Sequence, residues 1–371
     1  MVIGNRLAVL ATAVGAAAGI ACTFWRIAPA ATGPGWAVLA VVTGGWVATV
    51  TLTLLMATRS AVRDATSARI SLWLAVMCGA YGRVVMSNLY GVAGISSLTE
   101  RPSPWLSNLH TITEQAAAIT AMCGVWVVIT GSIRDPRGPY RSQHARFWPV
   151  WPRILVLWLI FEFVALVVAR WLLVETQVLP MGVGPFHDDA DWSDWVRRLM
   201  AGPYEELGFT GLTALLLIIP ASGKNPSRLW LCGGIVASTA LRAIPHLYYG
   251  RGELTSDTIL PIPSHLASAA NQWVWCLVWA GGAMWMFVHY RHLWPIVAAH
   301  SLWNVLFTPA FFMLFILWVA VMIMLRWAPA CRWSRSLTAV GREVERHCDR
   351  YAHKLRQRRR RRPGHITRLN R

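Results

Sequence analysis

Glu205 and Glu206 stand side by side in the stretch P-Y-E-E-L-G-F-T-G, from Pro203 to Gly211, at the head of the apolar run L-T-A-L-L-L-I-I-P. A charge at the centre of a membrane helix costs about 3 kcal/mol on insertion scales, so two in a row need a reason. Either both carboxylates sit at the water interface, where acidic residues suit a helix N-terminus, or one is a base held in a shielded site. Two further stretches carry chemistry. In S-T-A-L-R-A-I-P-H-L, Arg242 and His246 are spaced i,i+4 and share one helical face. A lone histidine there reads as a satisfied core residue, but two ionisable groups on one intramembrane face mark a functional candidate. In H-L-W-P-I-V-A-A-H-S-L-W-N-V-L, His300 and Asn304 have the same spacing. They suit interhelical glue, worth about 0.6 kcal/mol per hydrogen bond, or a pair of donors aimed at one oxygen, as an oxyanion demands. His289 and His292 read as interfacial loop residues.

The elements that must hold these residues are membrane helices. The chain has 371 residues, 55% of them hydrophobic and 14% charged, against about 25% charged in a soluble domain. The 22 Trp fit the same class, since Trp gathers at bilayer interfaces. At about 20 apolar residues per span, the sequence predicts an all-α, polytopic transmembrane helical bundle of about ten helices. They run Leu7–Phe24, Trp36–Ala57, Ile70–Met86 (carrying Arg83), Ile112–Ile133 and Ile154–Val174 (carrying Glu162 and Arg170). Then come Met200–Pro220, Leu229–Tyr248, Ala267–Phe287, the short Leu293–Leu306, and Pro309–Trp327. The organisation expected is N-terminal membrane helices over 1–133, a polar loop over 134–153, a chemistry-bearing membrane domain over 154–327, and a basic tail over 328–371. The first four helices carry little ionisable chemistry in this reading.

Much of the net charge of +18 lies in the tail after Arg326, which includes the run Arg358 to Arg362. Such a tail attracts anionic lipid head groups. Nucleic acid is not the expected partner, because nothing aromatic or folded accompanies the run. The seven Cys are scattered without a C-x-x-C and mostly fall in apolar helices, so they read as small packing residues and not as a disulfide framework. The N-terminal apolar run reads as the first span and not as a cleaved signal. Basic loops at Arg59, Arg63 and Arg69, at Arg134 to Arg153, at Lys224 and Arg228, and at Arg291 fall with the tail on one side of a ten-helix bundle. By the positive-inside rule that side is the cytoplasm. A multi-pass protein of the cell membrane with both termini cytoplasmic is expected. Glu205, His246, His300 and Asn304 then sit at similar depth in its outer half.

These three stretches resemble the motifs of the CPBP family, the CAAX proteases and bacteriocin-processing enzymes. That family carries E-E-x-x-x-R, F-x-x-x-H and H-x-x-x-N on successive core helices. Here E-E-L-G-F-T, R-A-I-P-H and H-S-L-W-N stand in their places, over roughly Met200 to Leu306. The resemblance implies a CPBP-like catalytic core in the C-terminal half and an intramembrane endopeptidase of the glutamate type, with no metal cofactor. It implies that Glu205 and His246 activate a water, that His300 and Asn304 hold the oxyanion, and that Glu206 is structural or tunes Glu205. The substrate class implied is a peptide or membrane-protein precursor. Zinc is the nearest rival, since Glu and His are acceptable ligands, but the spacing is not H-E-x-x-H. A catalytically impaired scaffold or bacteriocin self-immunity protein is a further alternative. A transporter fits less well, for want of paired broken helices.

Two positions depart from the family pattern. Thr210 stands where the family has Arg, and Arg242 where it has Phe. The family Arg lies i,i+4 from the second Glu, the favourable orientation for a helical ion pair. The two departures together predict that Arg242 supplies the missing guanidinium from the neighbouring helix and pairs with Glu206. The competing reading pairs Arg242 with Glu162 or lets it snorkel to the interface.

Overall fold

In lipid, a helix satisfies every backbone N–H and C=O within its own segment, so apolar runs of this length fold as helices. A computed structural model of the chain describes residues 3–27, 33–92, 104–133, 192–221, 226–244 and 262–306, and every regular element among them is helical. Met1–Phe307 groups as one unit, and Thr308–Arg371 as a second that lies wholly outside the described residues.

The elements are α1 (Ile3–Ile27), α2 (Gly33–Thr58), the short α3 (Ser60–Asp64), α4 (Thr66–Val92) and α5 (Pro104–Thr130). After them come α6 (Trp192–Glu205), which runs on into π-helical turns at Glu206–Leu212 and Ala214–Ile218, then α7 (Arg228–Ala243), α8 (Ile262–Tyr290) and α9 (Trp294–Leu306). Four of the described helices are long and apolar enough to cross a membrane: Gly4–Ile27, Gly33–Thr58, Thr66–Ser87 and Trp105–Thr130. The expected spans at Ile154–Val174 and Pro309–Trp327, with Glu162 and Arg170, lie outside the described residues.

Small residues set the closest crossings. A Cβ on Gly124 would collide with Thr12 and the Ala8 carbonyl, and one on Gly15 with the backbone of Ala117 and Ala121, so α1 and α5 pack at backbone range. Without a hydrophobic drive between helices in lipid, such contact is what holds them. Buried threonines return their hydroxyls to the preceding turn, as Thr49 does to Gly45 O at 2.8 Å and Thr53 to Thr49 O at 2.6 Å. No polar hydrogen is then left facing hydrocarbon.

α4 runs antiparallel along the π turns and reaches the last turn of α6 at Tyr204. Arg69 donates to Leu215 O and, at 2.6 Å, to Ile219 O. Trp73 Nε1 donates to Thr213 Oγ1 at 2.9 Å, and Tyr204 Oη donates to Ala80 O at 2.6 Å. Arg69 thus caps carbonyls that the end of the helix leaves unpaired.

Several expectations are corrected. Arg69 is not a loop cation: it lies in α4, buried, and holds the end of the π segment. Arg291 and His292 lie in the expected turn between α8 and α9 but are buried there, at 3% and 5% exposure. The sixth helix begins at Trp192, not Met200. The segment W-S-D-W-V-R-R-L-M is charged on one side only, with Trp192, Trp195 and Leu199 exposed on the other. A search for uniformly apolar runs passes over such an amphipathic turn. The first four long helices also carry more chemistry than expected, because Arg83 on α4 and Glu114 on α5 form an ion pair.

Candidate active site

Pro203 lies inside α6 and has no N–H to give the carbonyl one turn back, Leu199 O. Ser301 on α9 fills that place, donating its hydroxyl to Leu199 O at 2.8 Å. Gly202 makes the approach possible, since a Cβ there would collide with Ser301 Oγ and the Val297 carbonyl. The Gly-Pro step therefore fixes α9 against α6 and brings His300, the neighbour of Ser301, to the level of the two carboxylates.

At Glu206 the helix widens. The N–H of Thr213 reaches Gly208 O, five residues back, and Ile219 N reaches Ala214 O in the same way at 2.8 Å. Such π turns concentrate at functional sites, where they re-aim side chains. Here the change falls between Glu205, the last residue of α6, and Glu206, the first of the π turn.

Glu206 is fully buried and all four of its acceptor positions are filled. Oε1 accepts from Arg242 Nη1 at 3.0 Å and faces His300 Nδ1 at 2.8 Å. Oε2 accepts from Arg242 Nη2 at 2.8 Å and from Thr210 Oγ1 at 2.6 Å. Thr210 Oγ1 in turn accepts from Arg242 Nη2 at 2.7 Å. The guanidinium, also fully buried, lies 4.3 Å from the ring centroid of Trp279 on α8, and the His300 ring meets the same indole edge-on at 4.5 Å. Burying opposite charges is tolerable in such an arrangement, because every lone pair on the acid has a donor.

The expected pairing of Arg242 with Glu206 is therefore present as geometry, and the alternative of snorkelling to the interface is not. Of the residues singled out in the sequence, Glu206, Thr210, Arg242 and His300 form one network. Glu205 adjoins it, half-buried, and Asn304 lies one turn beyond His300 on α9, also half-buried. His246 falls outside the described residues. Sequence reading missed Trp279, Ser301 and the pair Tyr81 and Tyr204, whose ring centroids lie 4.7 Å apart behind Glu205. Only the G-P-Y-E-E order carried a trace of them. Among the described residues, no group of three or more His, Cys, Asp or Glu is placed to hold a metal ion.

Residues 193–306 match the family model described as Rce1-like: type II CAAX prenyl endopeptidase Rce1-like. The match agrees with the CPBP and CAAX-protease resemblance of the three motifs and runs from the start of α6 to the end of α9. Helices α1 to α5 lie outside it. No curated protein and no solved structure matches the chain. The match is thus to a model of membrane endopeptidases, and it adjoins described helices that are long and apolar enough to cross a membrane.

Proposed function

We propose that the chain is an intramembrane endopeptidase of the glutamate type, hydrolysing a peptide bond in a membrane-associated peptide or protein. The observation that carries this reading is the saturation of Glu206. With four donors on its two oxygens, Glu206 has no lone pair to offer a water. The task of base falls to Glu205, with His246 as its partner. Glu206 is a positioning residue: it accepts from His300 Nδ1 and leaves Nε2 to face the reacting group. For Nε2 also to donate to an oxyanion, the ring must carry both protons. Asn304, one turn along α9, is the second donor to that oxyanion. No metal is needed for these steps.

The scaffold or self-immunity reading drew its force from Thr210. With Arg242 on Glu206, the charge that Thr210 lacks is supplied from α7, and that motive weakens. We place the protein in the cell membrane with both termini cytoplasmic, and its basic tail against anionic lipid. Cysteine labelling is expected to find positions 141 and 358 on the cytoplasmic side and position 189 outside. An inward-facing 189 would move the site to the other face.

The deciding experiment is a peptidase assay in detergent, with candidate peptides, on the wild-type protein and on Glu205→Gln. Hydrolysis by the first and none by the second is expected. Equal hydrolysis by both removes the glutamate mechanism, and added chelator that stops the wild type would favour zinc instead.

A further inference from the structure

A column of rings beside the buried ion pair begins on a helix that the Rce1-like model does not cover. Tyr81 of α4 is buried, and its ring lies 4.7 Å from that of Tyr204 and 4.3 Å from that of Phe209. The Phe209 ring in turn lies 5.5 Å from the Arg242 guanidinium, whose other aromatic neighbour is Trp279 at 4.3 Å. One stack therefore runs from α4 through the π turn to α7 and α8, and it contains the group that holds Glu206.

Tyr204 and Phe209 stand on either side of the switch from α to π geometry. In an unbroken α-helix, residues five apart point about 140° away from each other. Bonding to the fifth residue back widens the turn and brings such a pair toward one face. Tyr81 touches both, so its ring fits the wide turn better than the narrow one. Gly208 has the matching shape, since a Cβ there would collide with Tyr81 Oη and with the ring. The hydroxyl donates to Tyr204 O at 2.5 Å, with Met122 Sδ of α5 at 3.7 Å. Tyr204 O belongs to the peptide group that leads into Glu205. A peptide group is planar, so anchoring its oxygen also fixes the Glu205 Cα, which lies in the same plane.

We propose that Tyr81 is a positioning residue for Glu205, supplied by a helix outside the matched segment, which holds the catalytic turn in π geometry through Tyr204 O, Gly208 and Phe209. This rests on the endopeptidase reading and adds to it that α4 is part of the active site's frame and not only a membrane span. The competing account is that Tyr81 only packs α4 against α6.

Kinetics and local exchange separate these accounts. The full chain in detergent is compared as wild type, Tyr81→Phe, Tyr81→Leu, Gly208→Ala and Tyr81→Phe with Gly208→Ala. The readouts are steady-state peptide hydrolysis and hydrogen–deuterium exchange followed by mass spectrometry. Tyr81→Phe keeps the ring and loses the hydroxyl. It is expected to lower kcat about tenfold with KM little changed, the worth of one buried hydrogen bond. Tyr81→Leu loses the stack as well and is expected to lower kcat further. In both, exchange is expected to quicken over residues 204–212, while the α1–α5 crossing at Gly15 and Gly124 stays protected. Gly208→Ala displaces the hydroxyl without altering Tyr81 and is expected to act at least as strongly as Tyr81→Phe in both readouts. The double variant is expected to be no worse than Gly208→Ala alone, because residues that act as one unit are not additive. Wild-type kcat in Tyr81→Phe overturns the proposal. So does a loss confined to KM, exchange that quickens equally at the α1–α5 crossing, or a double variant whose two effects multiply. The two readings fail separately. If the wild type hydrolyses no peptide, the protease reading falls, and faster exchange confined to 204–212 still assigns the turn to Tyr81. Hydrolysis that all four variants perform at the wild-type rate keeps the protease and removes the role of Tyr81.

Discussion

Arg242 on α7 and Glu206 at the start of the π turn meet through two parallel hydrogen bonds of 3.0 and 2.8 Å, with both side chains fully buried. The guanidinium arrives from a helix that follows the acid by 36 residues in sequence. Thr210, four residues after Glu206, bonds to both partners instead of competing with either. The result is a carboxylate with fixed orientation and a histidine held at Oε1, which it shares with Arg242 Nη1.

Breaking a buried pair from one side costs roughly 3–5 kcal/mol, because the other charge stays behind. Arg242→Phe is accordingly expected to lower the melting temperature in detergent and to inactivate the protein. Adding Thr210→Arg returns a guanidinium to Glu206 from one turn along its own helix, and part of both stability and activity should come back. Full activity in Arg242→Phe alone would mean that the pair does not position His300.

The seat of α9 on α6 gives a second expectation. Ser301→Ala leaves Leu199 O without its donor and should cost about 1 kcal/mol of stability, with modest loss of activity. Gly202→Ala should be worse, because the new Cβ meets the Val297 carbonyl as well as Ser301 Oγ, and backbone does not yield. His300 is then carried away from Glu206, and proteolysis should fall further than stability does. A Gly202→Ala protein with wild-type activity would show that the site does not depend on this crossing.

These two cases mark what the sequence could and could not tell. Glu206, Arg242 and His300 were legible because ionisable residues in apolar runs are rare. Even the Arg242–Glu206 pairing was legible, from a charge missing at Thr210 and one gained nearby. The role of Ser301 was not, since it depends on a carbonyl left open by a proline on another helix. Arg69 was misassigned for a related reason. A basic residue at the edge of an apolar run looks like a loop charge, and only tertiary contact reveals that it caps Leu215 and Ile219. The start of α6 was missed because its polar face hid a helical apolar one. The switch to π geometry at Glu206 has no local sequence signal that we can identify.

Asn304 and Glu205 should differ in kind. Removing one oxyanion donor lowers kcat by about 10²–10³ in well-studied hydrolases, and Asn304→Ala is expected to do the same with KM little changed. Glu205→Gln should leave no measurable turnover. Groups that act as a unit are not additive, so the double variant should be no worse than Glu205→Gln. Steady-state kinetics in detergent would measure this, and an Asn304→Ala effect confined to KM would assign that amide to binding.

Arg291 offers a test outside the spans. It joins α8 to α9 with φ near 60°, the left-handed region that costs a residue with a Cβ roughly 1–2 kcal/mol. Its side chain is 3% exposed, Nη1 has no hydrogen-bond partner, and burial pulls its pKa down to about 10. Strain and desolvation thus act on one residue, and nothing in its backbone role requires a side chain: Arg291 N bonds to Phe287 O at 2.7 Å and closes the helix by itself. Glycine adopts this φ freely and leaves no buried charge. Arg291→Gly is therefore expected to raise the melting temperature in detergent, and Arg291→Ala to raise it less, since alanine relieves the desolvation and keeps the strain. If both variants melt below the wild type, the arginine stem contributes packing that outweighs the two penalties together.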